Sequence, residues 1–168
     1  RVVTEVMGPA LRSIGERWAV GAVDVYDEHL ASATLRRLLA RLSPTMNRRG
    51  HKRGRVLMAM AAGEMHDLGA EMVAELLRAS HYEVLSLGAN TPNPSLVRAA
   101  QRIRDLDAVI IGATIDPGSA GAAIAALREA GVALPILVGG GAFSAVDFDE
   151  VGADGLITGR ASSPAELE

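Results

Sequence analysis

Cysteine is absent from the 168-residue sequence. This absence excludes a disulfide framework, a thiolate metal site and a chromophore attached through a thioether. A chain without thiols is compatible with reducing surroundings, and we expect a cytoplasmic protein. Any metal ion would have to be bound by histidine or carboxylate side chains.

Long apolar runs and an excess of basic residues are also lacking. No stretch of about 18 apolar residues is present, so we expect neither a transmembrane helix nor a membrane partner. The formal net charge is -3, whereas nucleic acid binding requires a basic surface. The sequence begins at Arg1 without a methionine or a signal-peptide pattern, and we expect it to belong to a longer chain.

The first part of the sequence has the periodicity of α-helices. Apolar residues from Leu11 to Trp18 recur at helical spacing, and Gly21 is expected to separate this helix from the next. Asp24 is typical of the N-cap of a long second helix that continues through Leu42. We therefore predict a helical domain at residues 1–45.

The pattern changes after a basic linker at residues 46–55. Short apolar runs then alternate with helical stretches, which is the arrangement of βαβ units with right-handed crossovers. For residues 56–168 we predict an α/β domain with a flavodoxin- or Rossmann-like sheet of five parallel strands. The predicted strands are 56–61, 84–87, 108–113, 135–138 and 155–158, and helices are expected to start near His66, Pro94, Gly118 and Ser144.

One loop of the predicted sheet combines a histidine with carboxylates. Residues 64–69 follow the first strand, where a flavodoxin-like sheet opens a ligand crevice at its topological switch point. Glu64 could accept a hydrogen bond from the far ring nitrogen of His66, which would make the near nitrogen a better metal ligand. Gly69 permits close approach of a ligand to the backbone.

Two further patterns support a ligand site. Nine residues separate Trp18 from the pair Glu28-His29, and three glycines after the fourth strand are expected to leave room for a bulky ligand. Each pattern alone has an ordinary explanation: a core tryptophan, a histidine on a helix surface, a solvated loop histidine or a glycine turn. Together, the two histidine motifs suggest imidazoles on opposite faces of one planar metal cofactor.

Residues 55–160 resemble the cobalamin-binding domains of methionine synthase and the adenosylcobalamin mutases. That family has the pattern Asp-x-His-x-x-Gly, then Ser-x-Leu, then Gly-Gly. Glu64, His66 and Gly69 form the first element here. The last element is Gly139-Gly140, whereas the middle element is replaced by Gly112-Ala113-Thr114, which lacks the serine hydroxyl of the family.

The helical domain resembles the cap of one subgroup, the light-dependent cobalamin photoreceptors that repress carotenoid operons. Their cap, a four-helix bundle that would be partial here, carries Trp-x9-Glu-His. Trp18, Glu28 and His29 match that spacing without a gap. The glutamate at Glu64 is also the variant that this subgroup uses.

The resemblance implies adenosylcobalamin as the cofactor and a role for each motif residue. His66 would be the lower axial cobalt ligand, Trp18 would cover the adenosyl group and Glu28 would form a hydrogen bond with it. His29 would be the upper ligand after light has broken the cobalt–carbon bond. The other residues implied in cofactor binding are Glu64, Asp67, Leu68, Gly69, Gly112, Thr114, Gly139, Gly140, Gly141, Thr158 and Gly159.

The resemblance further implies a light sensor, not an enzyme. Its conformation or its assembly as a homo-oligomer would change with light and regulate an output such as transcription, with DNA bound only through a domain absent here. The related stand-alone photocobilins also hold a bilin. The basic residues from Arg48 to Arg53 could pair with the propionates of a noncovalent bilin.

Two other functions remain open at this stage. A corrinoid protein of a methyltransferase has a similar cap and Rossmann-like domain, although a histidine above the metal would obstruct methyl delivery. A cobalamin sensor could instead respond to the cofactor and not to light. A flavodoxin-like receiver domain without a corrinoid would leave both histidine motifs unexplained.

Overall fold

The first 46 residues are helical, as their apolar spacing predicts. A π-helical segment (Val2–Met7) leads into α1 (Gly8–Ala19), whose first turn contains Pro9. A proline there disrupts no helical hydrogen bond. Gly21, at φ +70°, separates α1 from α2 (Val25–Met46). The structure is a computed structural model, and it describes residues 1–46, 50–144 and 148–157.

The start of α2 has the predicted cap. The Asp24 carboxylate accepts a hydrogen bond from the Val25 N–H at 2.6 Å, and the Asp24 N–H donates to Asp27 Oδ2 at 3.2 Å. These bonds satisfy backbone N–H groups that have no partner within the helix. The cap fixes the end of α2 that carries Glu28 and His29.

Five parallel strands form one sheet in the order β2-β1-β3-β4-β5. This is the flavodoxin-like order, so the predicted fold class is confirmed. Because the order reverses between β1 and β3, the loops after these two strands flank the switch point. The strands are β1 (Gly54–Met60), β2 (Tyr82–Ser86), β3 (Ala108–Gly112), β4 (Ile136–Gly139) and β5 (Gly155–Ile157).

In the described part of the chain, three helices cover the two faces of the sheet. They are α3 (Leu68–Ala79), α4 (Asn93–Arg102) and α5 (Pro117–Glu129). One face of the sheet packs a cluster with Leu96 and Leu127 from α4 and α5, and the other packs Ala74 and Leu77 from α3. Burial on both faces explains why the strands read as short apolar runs without alternation.

Near Ser144, where a helix is predicted, the described residues are 3-10 helical and not α-helical, and residues 145–147 lie outside the described part of the chain. The chain there forms two short 3-10 helices, Gly141–Ser144 and Phe148–Val151. Gly140 at φ +116° precedes the first, and Gly152 at φ +77° follows the second. A left-handed residue does not continue an α-helix, so each glycine marks an end of the segment.

An apolar cluster joins the N-terminal helices to α3. Val3, Met7 and Leu39 pack there with Leu68 and Met72 of α3. Complete burial of such side chains stabilises the folded state by about 1.5–3 kcal/mol each. The helical part is therefore fastened to the helix that follows the His66 loop.

Candidate functional site

His66 lies in the loop between β1 and α3, at the carboxyl edge of the sheet. Its Nδ1 is 2.6 Å from Glu64 Oε1, and its backbone N–H donates to the same oxygen at 2.8 Å. An ionised carboxylate only accepts hydrogen bonds, so Nδ1 is the donor, and in the neutral imidazole the lone pair lies on Nε2. The predicted hydrogen bond between Glu64 and His66 is thus confirmed, on an imidazole that is 51% exposed.

Glu64 is buried, and the loop after β3 holds its second oxygen. Oε2 accepts hydrogen bonds from the N–H groups of Thr114 at 2.7 Å and Ile115 at 3.1 Å. Burial raises the pKa of Glu64, but the hydrogen bonds from His66, Thr114 and Ile115 together lower it by more, so this pKa lies below its ordinary value. The carboxylate therefore stays ionised at neutral pH and orients the imidazole.

Asn90, which sequence reasoning missed, ties the loop after β2 to the same motif. Its Oδ1 accepts a hydrogen bond from the Gly63 N–H at 2.8 Å, and its own N–H donates to the Glu64 carbonyl at 2.8 Å. Its φ of +47° lies in the left-handed region, which asparagine tolerates better than most residues. Only the turn-forming residues from Gly88 to Asn90 could have signalled it.

The space beside this motif suits a large, partly apolar ligand. A Cβ atom added at Gly63, Gly69 or Gly88 would meet no atom within 4 Å. Met65 and Ile115, in the loops after β1 and β3, are 65% and 67% exposed. Open backbone, exposed apolar side chains and one imidazole lone pair fit a planar metal cofactor that needs a single protein ligand on one face.

Gly139, the last residue of β4, and the two glycines after it do not leave the gap that the sequence suggests. A Cβ atom at Gly140 would collide with the Ala113 carbonyl, and one at Gly139 would lie 3.1 Å from the Ile157 carbonyl oxygen. At Gly141 the corresponding neighbour is the Thr114 carbonyl oxygen, at 3.2 Å. These glycines therefore allow neighbouring backbone segments to pack closely, and their contact with a cofactor stays a prediction.

Of the other residues predicted to bind a cofactor, some pack inside the protein and some lie outside the described residues. Gly112 packs against the Met60 side chain. Thr158 and Gly159 lie outside the described residues, as do Arg48 and Arg49 of the basic linker. Arg53 lies over the Tyr82 ring, with 5.2 Å from its guanidinium carbon to the ring centre.

Trp18, Glu28 and His29 lie at the end of α1 and the start of α2. Trp18 is 43% exposed and lines an open depression of about 520 Å³. Glu28 Oε1 accepts a hydrogen bond from Ser32 Oγ at 2.5 Å, and Glu28 Oε2 is 3.7 Å from Nε2 of the exposed His29. Trp18 is therefore not a core aromatic. Among the described residues, no hydrogen bond or ion pair joins this group to Glu64 or His66.

An ion-pair network links α2 directly to the His66 loop. Arg36 contacts Asp67 Oδ1 at 2.7 Å through one terminal nitrogen and Glu71 Oε1 at 2.6 Å through the other. Asp67 occupies the N-cap of α3 but makes no side-chain cap bond. Leu68, predicted to bind the cofactor, is buried in the cluster that joins α3 to the N-terminal helices.

The sheet order and the position of His66 define an α/β domain of the kind that binds ligands at the topological switch point. The B12 binding domain family matches residues 54–167, and a second family, also described as a B12 binding domain, matches residues 1–43. The chain belongs to the B12 binding domain family. The predicted membership of the cobalamin-binding domains is confirmed, and the cofactor that it implies is a corrinoid.

Relatives of the chain include two kinds of protein. A corrinoid protein of Desulfitobacterium hafniense (strain Y51) is 29% identical over 152 residues, covering 84% of this chain and 69% of the relative. The HTH-type transcriptional repressor CarH of Myxococcus xanthus is 34% identical over 100 residues, covering 60% of this chain and 33% of the repressor.

Fold similarity extends over most of the chain. The monomethylamine corrinoid protein of Methanosarcina barkeri superposes with a TM-score of 0.77 at 18% identity, covering 88% of this chain and 72% of that protein. Among the helices of the described residues, none has the length and apolar character needed to cross a membrane.

Proposed function

We propose that the chain is a light sensor that binds adenosylcobalamin, with His66 as the lower axial ligand of cobalt. The observation that carries the ligand assignment is the Glu64–His66 pair, because the buried carboxylate fixes the proton on Nδ1 and leaves Nε2 free. When bound, adenosylcobalamin supplies a cobalt–carbon bond that visible light can break. The role of the chain is then to hold the cofactor and to respond structurally, not to catalyse a reaction.

The proposed light response depends on Trp18, Glu28 and His29. Trp18 is 43% exposed and lines an open depression, and we propose that it covers the adenosyl group. Glu28 is hydrogen-bonded to Ser32, so its position is fixed before the cofactor arrives. His29 is 74% exposed and is free to become the upper ligand after illumination. The 34% identity to the transcriptional repressor CarH over 100 residues supports a regulatory function for the chain.

The proposed output is a change in the packing of α2 against the rest of the molecule. Because α2 carries His29 at one end and Arg36 near its middle, a shift of this helix would alter the surface around α3. Such bistable elements convert local chemistry into altered assembly. We propose a homo-oligomer whose assembly changes with light and regulates an output such as transcription.

Illumination of the reconstituted protein tests the proposal. Protein loaded with adenosylcobalamin in the dark should give a stable spectrum, and green light should convert it to a product with imidazole on both faces of cobalt. The same sample kept dark is the control. A product that carries water on the upper face would contradict the proposed role of His29, and an unchanged spectrum would contradict light sensing altogether.

A second candidate function is that of a corrinoid protein serving a methyltransferase. The similarity to the D. hafniense corrinoid protein over 84% of the chain favours it. This alternative predicts that methylcobalamin binds as tightly as adenosylcobalamin, because no upper-face residue would select for the larger group. A preference for adenosylcobalamin that disappears in Trp18→Ala would support the sensor instead.

A further inference from the structure

We propose that Asn90 is a positioning residue for the axial histidine, an inference that rests on the proposed binding of cobalamin through His66. Asn90 lies in the loop after β2 and makes two hydrogen bonds to the segment that precedes His66. Its side chain holds the Gly63 N–H, and its backbone holds the Glu64 carbonyl. Among the described residues, Asn90 is the residue of another loop that forms hydrogen bonds to the backbone of Gly63 and Glu64.

The position of the Glu64 backbone decides the position of the imidazole. Oε1 of Glu64 binds both the backbone N–H and the ring Nδ1 of His66, so a displacement of Glu64 moves the ring. The other oxygen is fixed by Thr114 and Ile115 in the loop after β3. Loops after three neighbouring strands thus converge on one histidine, and Asn90 provides the contribution of β2.

Position 90 imposes three requirements on its residue. The residue must have a short side chain with an acceptor oxygen, must have a backbone N–H, and must tolerate a φ of +47°. Aspartate meets all three requirements, glycine lacks only the acceptor, and alanine lacks the acceptor and is strained in this conformation. The series Asn90→Asp, Asn90→Gly and Asn90→Ala therefore separates the lost hydrogen bond from backbone strain.

Asp105 provides a matched control for strain. It also has a left-handed backbone, at φ +58°, and lies between α4 and β3 at the opposite edge of the sheet. Asp105→Ala introduces the same kind of strain far from His66. It should lower the thermal stability as Asn90→Ala does, without affecting the imidazole.

The first measurement uses the cofactor-free protein with 15N-labelled histidine. The ring nitrogens of His66, assigned by their absence in His66→Gln, should report one tautomer with Nε2 unprotonated in the wild type, Asn90→Asp and Asp105→Ala. In Asn90→Gly the Nε2 signal should move towards the average of the two tautomers. An Nε2 signal in Asn90→Gly identical to that of the wild type would overturn the inference.

The second measurement follows binding of hydroxocobalamin by absorption, with all variants made in a His29→Ala background so that His29 cannot ligate the upper face of cobalt. The imidazole-ligated spectrum should appear several-fold more slowly in Asn90→Gly than in the wild type, with recovery in Asn90→Asp. Equal rates in Asn90→Gly and the wild type would count against Asn90. If His66→Gln gave the wild-type spectrum, the proposed ligand would be wrong, whereas the tautomer measurement would still decide the role of Asn90.

Discussion

Glu64 determines what His66 can do. Its two carboxylate oxygens accept hydrogen bonds from the backbone and ring of His66 and from two backbone N–H groups of the β3 loop. A loop histidine without such a partner can exchange tautomers and turn freely. With the carboxylate behind it, the same imidazole presents a lone pair in a fixed direction, as a metal ligand must.

Glu64→Gln should destabilise the protein by about 1–3 kcal/mol at neutral pH, because an amide cannot accept from all four N–H groups. The pKa of Glu64 is lowered from its usual 4.5 in the folded chain. Its contribution to stability is therefore fully present above that value and is lost as the pH falls through the folded-state pKa. Urea unfolding from about pH 7 to about pH 3 measures this loss.

The difference in unfolding free energy between the wild type and Glu64→Gln should shrink in acid. Glu16→Gln, on the exposed surface of α1, serves as the control and should change the unfolding free energy little at any pH. A difference between the wild type and Glu64→Gln that stayed constant down to about pH 3 would show that the hydrogen bonds do not depend on ionised Glu64.

His29→Ala should leave binding of adenosylcobalamin in the dark nearly intact, because the exposed imidazole makes no contact that the dark form needs. After green light the variant should carry water above cobalt and release the cofactor faster. Absorption spectra and a dialysis assay measure both effects. His51→Ala, just before β1, is the matched control, and a stable bis-imidazole spectrum in His29→Ala would refute the switch.

Single residues were predictable from sequence where the pattern is local. Glu64 and His66 are two positions apart in one loop, so their contact followed from the motif. Asn90 is 26 positions from Glu64, and nothing in its neighbourhood marks it as a partner. The packing of Gly140 against Ala113 likewise depends on the pairing of β3 with β4, which local sequence does not specify.

At the scale of secondary-structure elements, the contact between α2 and α3 matters most for the proposed function. Arg36 binds Asp67, the residue after His66, and Glu71 one turn further along α3. Leu39 packs in the apolar cluster with Leu68. Through these contacts the helix that carries His29 is coupled to the loop that carries His66.

Arg36→Met should remove both ion pairs while keeping most of the aliphatic side chain. Since Arg36 is half-exposed, we expect a loss of about 0.5–2 kcal/mol in unfolding free energy, declining at about 1 M salt. Arg37→Met is the matched control, because the hydrogen bond that Arg37 donates among the described residues goes to Thr34 Oγ1, at 3.5 Å, and not to a carboxylate. An equal loss in both variants would show that the ion pairs contribute nothing.

Strands were predicted to within about two residues, because buried parallel strands have short apolar runs with clear ends. The helices after β1, β2 and β3 were also located correctly. The segment after β4 differs from the helix predicted there. The described residues form 3-10 turns at Gly141–Ser144 and Phe148–Val151, and Gly140 and Gly152, at the two ends of the segment, have left-handed backbones. A short apolar pattern in the sequence does not distinguish such turns from an α-helix.

At the scale of the whole molecule, the two histidine motifs lie on different parts of one structure. The His66 motif lies at the edge of the sheet, and the motif with His29 lies on the N-terminal helices. The two family matches, over residues 54–167 and 1–43, follow the same division. The helical part is attached to α3 by apolar packing and by Arg36. An effect on either part can therefore reach the other through α3.

Residues 1–168 alone should show no sequence-specific DNA binding, in the dark or in light. The net charge is -3, and specific binding needs a basic surface with a recognition element. Electrophoretic mobility shifts at physiological salt, with a random duplex as control, measure this directly. Specific retardation of one DNA sequence would contradict the proposed division between sensing and DNA contact.

Electron paramagnetic resonance of the bound cobalt(II) form tests most directly whether His66 binds cobalt. An axial nitrogen splits the cobalt signals into triplets when it is 14N and into doublets when it is 15N. Protein labelled with 15N only at histidine, loaded with unlabelled cobalamin, should give doublets, and His66→Gln should lose them. Triplets that persist in the labelled wild-type protein would show that the cofactor's own base remains on cobalt, and would contradict the assignment of His66.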